Sequence, residues 1–166
     1  VGDLWFADTN VPVSGLEALR AASGGRPWFL DPVSVAKATR ALPVIDGAAC
    51  VFPDTLEAAA LTGEDDPARA VRSLVDLGAD RAIATLGPDG VISATRDGLE
   101  RRPASTPRSV ADVTGAGDAF TAGYLAGVSL DAEDPLSWGL AAASLAVETV
   151  ETVPSDLGLP ALLARL

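Results

Sequence analysis

Apolar residues along the chain come in short dense runs separated by stretches of helical spacing, and the two patterns alternate from one end to the other. The runs at 4–7, 28–30, 50–52 and 81–86 have the length and apolar density of buried strands. Between them, 14–22, 34–42 and 54–62 repeat apolar side chains at three- and four-residue spacing, which is the period of a helix with one buried face. Ser34 stands where an N-cap is expected, and Gly63 where the third of these helices must stop. Pro67 occupies the first-turn position that tolerates proline, and Ala70, Val71, Leu74, Val75 and Leu77 form the apolar face that follows until Gly78. Pro88-Asp89-Gly90 reads as a turn that folds 81–86 back onto a strand at 91–94 as a hairpin. The polar, proline-containing stretch 95–108 carries no element signal; beyond it an apolar helix runs through Ala126, a long helix covers 135–150 and a short one ends the chain. Strands that alternate with helices predict an α/β fold whose mostly parallel sheet is crossed over right-handedly and covered on both faces. Ligands of such sheets sit at the carboxyl ends of the strands.

Composition changes this picture mainly by exclusion. A chain of 166 residues is expected to form one domain that buries roughly 68–70% of its unfolded surface. It has no histidine, which removes Ser-His-Asp and Cys-His mechanisms and imidazole metal sites. Acid–base work is left to carboxylates, to Tyr124 and to Lys37, the sole lysine. The lone Cys50 makes neither an internal disulfide nor a cysteine-based zinc site and fits a reducing, cytoplasmic setting. With 23 acidic against 12 basic residues the net charge is −11, so neither nucleic acid nor an anionic membrane is an expected partner. No apolar run reaches the roughly 18 residues of a membrane-spanning helix. The first residues carry no basic segment of a secretory signal, and the absence of an initial methionine suggests a chain that begins partway through a longer protein or has been processed.

The most informative stretch is Asp112-Val113-Thr114-Gly115-Ala116-Gly117-Asp118-Ala119-Phe120. Two glycines let the backbone approach a ligand closely, and a helix that begins there directs its unpaired N–H groups at whatever occupies the turn. An anion is favoured, phosphate above all. Asp118 then places a carboxylate beside the anion, able to orient a hydroxyl and take its proton. Read alone, Gly-x-Gly-Asp fits equally well a capped helix whose aspartate complements the dipole. A lysine-containing phosphate loop is absent, and Phe120 stands where a dinucleotide fingerprint needs a small residue.

The nonamer, continued by Thr121-Ala122-Gly123-Tyr124, resembles the second signature of the ribokinase/PfkB family of carbohydrate kinases. Thr85-Leu86-Gly87-Pro88-Asp89-Gly90 is similar to that family's nucleotide-binding strand and turn, and Phe52-Pro53-Asp54-Thr55-Leu56-Glu57 with Leu61-Thr62-Gly63 to its Asn-x-x-Glu segment. The resemblance implies a ribokinase-like three-layer α/β/α fold and an ATP-dependent transfer of the γ-phosphoryl group to a sugar or nucleoside hydroxyl. It also implies roles: Gly115, Ala116 and Gly117 as the anion hole, Asp118 as the catalytic base in contact with the acceptor, and Thr85, Gly87, Gly90 and Thr114 against the nucleotide. Ala143, within the alanine- and serine-rich stretch 139–147, would leave room for adenine, though small residues there serve close helix packing equally well. Glu57 and Asp54 would organise Mg²⁺. Asp54 replaces the family's usual asparagine, and Asp-x-x-Glu is also a capping-box helix start. Asp112 matches the position of a monovalent-cation ligand, such as for K⁺, in some relatives, or is a loop carboxylate facing water.

For the acceptor, Asn10 in Asp8-Thr9-Asn10 offers hydrogen bonds at a strand end, as ordinary turn residues also do. Asp31-Pro32-Val33-Ser34-Val35-Ala36-Lys37-Ala38 is similar to the pseudouridine kinases within the family, which implies a nucleoside phosphorylated at its 5′-hydroxyl. Lys37 either reaches a phosphate or is a solvated helix lysine. The resemblance places all of 1–166 in the C-terminal, nucleotide-binding and catalytic part of such a kinase, without the N-terminal sugar-binding half and its lid. That arrangement leaves a sheet edge and an apolar face open to a second copy or to the missing half. The alternative is a nucleotide-binding regulatory module, or an inactive fragment, that keeps the phosphate cradle without the transfer.

Overall fold

The computed structural model describes residues 4–151 and 158–166. Arg102 closes one compact unit and Pro103 opens a second. In the first, strands β1 (Trp5–Asp8), β2 (Trp28–Asp31), β3 (Cys50–Val51), β4 (Arg81–Thr85), β5 (Val91–Thr95) and β6 (Gly98–Arg102) form one sheet in chain order. The first four run parallel, with Trp5 beside Trp28, Leu30 beside Val51 and Val51 beside Ala82. β4, β5 and β6 are antiparallel, so the sheet is mostly parallel with a hairpin margin.

Helices α1 (Val13–Ala22), α2 (Val35–Ala38), α3 (Thr55–Thr62) and α4 (Pro67–Asp76) connect the parallel strands. One face of the sheet, formed by Ala7, Trp28, Leu30, Val51, Ala82, Ala84, Ile92 and Ala94, shares a core with Leu16, Val44, Ile45, Leu61, Val71 and Leu74. Phe29, Cys50, Phe52 and Ile83 alternate onto the opposite face and are buried as well. Burial on both faces explains why these strands read as continuous apolar runs. α4 follows the sequence closely: the Asp66 side chain caps it through Ala68 N–H at 2.9 Å, Pro67 opens it, and Ala70, Val71, Leu74 and Val75 are its buried face.

In this unit two elements and one cap differ from expectation. The helix expected over 34–42 is α2 followed by a 3₁₀ segment, Thr39–Val44, containing Pro43; proline removes an N–H and disfavours the α conformation at the residue before it. Ser34 holds the N-cap position but makes no side-chain cap bond. Within the stretch read as irregular, Gly98–Arg102 is β6, an exposed edge strand bearing Glu100, Arg101 and Arg102. With neither face buried it shows no apolar alternation, and its charges deter pairing with another chain.

The second unit holds α5 (Ala116–Ser129), α6 (Pro135–Ala146) and α7 (Leu159–Leu163). α6 stops at Ala146 rather than 150, because the loop at 108–112 bonds to Val147 and Glu148. α5 and α6 approach closely through glycine. A Cβ on Gly123 would lie 2.5 Å from the Trp138 carbonyl oxygen and 2.6 Å from Ala142 Cβ, and one on Gly139 would lie 2.7 Å from the Phe120 ring. Leu162 packs on Ala141 and Ala142, and Arg165 grips Glu148 with two bonds of 2.8 and 2.9 Å. Among the described residues no helix is long and apolar enough to cross a membrane.

Two expectations follow. Gly123→Ala meets backbone, so overpacking of roughly 1–3 kcal/mol outweighs a helix-propensity gain of about 1 kcal/mol; urea unfolding should show a lower midpoint. The Arg165 guanidinium, then the Arg108 N–H, hold the Glu148 carboxyl down to about 2 from its ordinary 4.5. A lowered carboxyl pKa stabilises fully above pH 4.5 and loses that contribution as pH falls toward 2. The stability difference between the native chain and Glu148→Gln should therefore shrink across that window in pH-dependent thermal melts, and a difference independent of pH would contradict it.

Candidate functional site: a glycine turn at a helix start

In the second unit, the chain enters α5 through a turn built on Asp112. Its Oδ1 accepts both the N–H and the hydroxyl of Thr114, each at 2.9 Å, and these bonds hold its carboxyl below the ordinary range. Gly115 then takes φ 79° as the N-cap, a left-handed conformation that costs a side-chain-bearing residue energy. The first bond of the helix is Ala119 N–H to Gly115 C=O at 2.9 Å, and Ala116 N–H reaches Val113 C=O at 3.2 Å. The N–H groups of Gly117 and Asp118 find no acceptor among the described residues.

Gly117 is informative for a different reason. Its backbone is not left-handed, and among the described residues a Cβ placed on it would meet nothing within 4 Å. Neither conformation nor internal packing calls for glycine there, and an exposed helix position loses roughly 0.5–1 kcal/mol by having it instead of alanine. The open position at Gly117 and the unpaired N–H groups belong to the same first turn of α5. The positive end of the helix dipole fits an anion there. Asp118 is exposed in the first turn of the same helix. Gly115, Ala116, Gly117, Asp118, Thr114 and Asp112 are therefore brought together as expected.

In the first unit a second group forms at the carboxyl ends of β3 and β4. Asp54 bridges to Thr85 in parallel register, with Thr85 N–H bonded to Pro53 C=O at 3.1 Å. The segments read separately as Asp-x-x-Glu and as a nucleotide turn are thus neighbours. Gly87 (φ 58°) and Gly90 (φ 91°) make the tight turn after β4, closed by Leu86 N–H to Gly90 C=O at 2.8 Å. Asp54 and Glu57 form a reciprocal capping box: Oδ1 of Asp54 accepts Glu57 N–H at 2.7 Å, and Oε2 of Glu57 accepts Asp54 N–H at 2.9 Å. The capping alternative is realised. Among the described residues no cluster of three or more metal-ligating side chains is found. In α6, Gly139 and Ala142 serve helix packing rather than leaving a space, and Ala143, half-buried, is not among those contacts.

A third group lies at the ends of β1 and β2. Asp8 accepts the Asn10 N–H at 2.8 Å and its amide at 3.1 Å, and Asn10 Oδ1 accepts Lys37 Nζ at 2.6 Å. Lys37 is thus held at the strand ends and is not simply solvated. Val33 adopts φ 63°, a rare conformation for a β-branched residue, braced by its N–H bond of 2.7 Å to Asp31. Sequence reasoning singled out Asn10 and missed how Asp8 and Lys37 fix it, because the register that sets the end of β1 beside α2 is not written in any local pattern.

Comparison with known proteins gives the family. A family model described as pfkB family carbohydrate kinase matches residues 6–157. The pseudouridine kinase of Escherichia coli is 31% identical over 122 residues, which cover 70% of this chain and 39% of that protein. A cytidine kinase from Thermococcus kodakarensis is 43% identical over 82 residues, 48% of this chain and 29% of the other. The crystal structure of ribokinase from Thermotoga maritima superposes with a TM-score of 0.87 at 20% identity, covering 99% of this chain and 56% of that one. The chain thus has the ribokinase fold and spans little more than half the length of that solved relative and less than half of the two curated ones. The match through the glycine turn and both strand-end groups, over nearly the whole sequence, places this chain in the pfkB family of carbohydrate kinases.

Proposed function

We propose that the chain is the nucleotide-binding and catalytic part of an ATP-dependent kinase that phosphorylates a hydroxyl of a sugar or nucleoside. The observation that carries this reading is the turn at the start of α5, where the N–H groups of Gly117 and Asp118 find no acceptor among the described residues and the position of the Gly117 side chain is left open. Phosphoryl transfer asks little covalent chemistry of a protein; it needs the transferred group held and its oxygens stabilised. The N–H groups of the 115–118 turn supply that stabilisation, and they do so in a chain of net charge −11 without a single basic side chain in the turn. Asp118 orients the acceptor hydroxyl and takes its proton. An ordinary aspartate is a weak base, which suffices because little proton transfer precedes movement of the phosphoryl group in a loose transition state.

Thr85 and the Gly87–Gly90 turn are the proposed contacts of the nucleotide, with Ala143 beside its base. Mg²⁺, when bound, would neutralise charge on the phosphates. Such an ion keeps most of its waters and needs only one or two carboxylates, so a capping box is compatible with Asp54 and Glu57 orienting those waters. Asp112 has a structural task in the turn, and the reading assigns it no monovalent cation. The acceptor class favoured is a nucleoside, pseudouridine first. The support is the 31% identical pseudouridine kinase, together with the Asp8-Asn10-Lys37 network that presents fixed polar groups at strand ends.

Acceptor-dependent ADP formation, measured with pseudouridine, other nucleosides, ribose and fructose phosphates, tests both levels. Asp118→Asn is expected to lower turnover by about 10²–10⁴ with the acceptor that works. Unchanged turnover in that variant, or no acceptor-dependent ADP from the complete protein, would overturn the assignment.

A further inference from the structure

The stretch that leads into the glycine turn is exposed from 108 to 114 and contains no helix or strand. Its backbone anchors among the described residues converge on two consecutive positions after α6. Arg108 N–H donates to the Glu148 carboxylate at 2.5 Å, and the N–H groups of Ala111 and Asp112 donate to the Val147 carbonyl at 2.8 and 3.4 Å. Val147 is the C-cap of α6, where a carbonyl has no partner within the helix and is free to accept from outside. Glu148 is in turn fixed by Arg165, which follows α7 and grips both carboxylate oxygens, at 2.8 and 2.9 Å. Both side chains are only 13% and 18% exposed, and Arg165 also reaches Ser144 at 3.3 Å. A bidentate fork fixes direction as well as distance.

We infer that Glu148 and Arg165 are positioning residues for the phosphate-binding turn. Arg165 fixes the Glu148 carboxylate, Glu148 and the adjoining Val147 carbonyl fix the incoming loop, and the loop delivers Asp112 and Thr114 to the start of α5. A residue of the chain's last turn thereby sets the geometry of a site whose aspartate lies far from it in sequence. A plain surface ion pair would instead contribute only to stability.

The test uses the isotopically labelled 166-residue chain. Arg165→Gln and Glu148→Gln are expected to speed amide hydrogen exchange at Ala111 and Asp112 by about tenfold and to shift the amide resonances of Gly115 and Gly117. Leu136→Ala, which removes a buried side chain at the end of α6 opposite Val147, is expected to lower the unfolding midpoint and leave those signals in place. Arg165→Lys, which keeps the charge but loses the fork, should restore them only in part. In an active protein the same glutamine variants should lower kcat/KM for ATP by about tenfold. That arm rests on the proposed function, whereas the exchange arm does not, so failure of one is distinguishable from failure of the other. Folded glutamine variants with native exchange at Ala111 and Asp112 would overturn the inference, as would Leu136→Ala reproducing their effect. If Glu148→Gln does not fold, the two Arg165 variants decide alone.

Discussion

A helix that begins in the open must leave its first N–H groups without acceptors, and the rest of the second unit is arranged around where those groups point. Gly115 turns the chain left-handed so that α5 can start abruptly, and Gly117 keeps the space beyond the start empty. The turn thereby concentrates positive potential without a charged side chain. This resolves the tension between a strongly acidic chain and a phosphate ligand. Net charge describes the distant field of a molecule, whereas phosphate held at a helix start is governed by a few N–H groups within hydrogen-bonding distance.

Precision at such a site depends on what holds the helix. α5 lies against α6 at glycine contacts that leave no room for a methyl group at Gly123 or Gly139, which fixes the helix axis. The loop entering the turn is fixed separately, at the carboxyl end of α6. The small residues of α6 thus have a mechanical explanation in the second unit. In the first unit, positioning comes from parallel strand ends: β1 and β2 hold Asp8, Asn10 and Lys37 in one network, and the Asp54–Thr85 bridge brings two loops together after β3 and β4.

Much of this was legible in the sequence because it rests on local rules. Asp66-Pro67 with the apolar face of α4, the Gly63 stop and the 88–90 turn each encode their conformation within a few residues. The glycine turn was legible for the same reason, since the need for a left-handed N-cap and an empty position is written in the residues that supply them. What sequence left open was decided by partners distant along the chain. β6 has no apolar alternation because neither of its faces is buried, and α6 ends early because Val147 and Glu148 bond to a loop some forty residues earlier. Asp54-x-x-Glu57 was open between capping and metal binding; the capping bonds form, and the nearness of Thr85 came from sheet register, which no local pattern specifies.

The central claim is that the unpaired backbone N–H groups of Gly117 and Asp118, in the turn that Gly115 opens, hold phosphate. The most direct measurement is the amide spectrum of the labelled chain during titration with ATP, in the presence and absence of Mg²⁺. The account predicts saturable shifts at Gly115, Gly117 and Asp118 that are larger than those at solvent-exposed amides of β6. If those three resonances stay in place at ATP concentrations that perturb other parts of the chain, or if nothing moves at all, the turn is not the phosphate site.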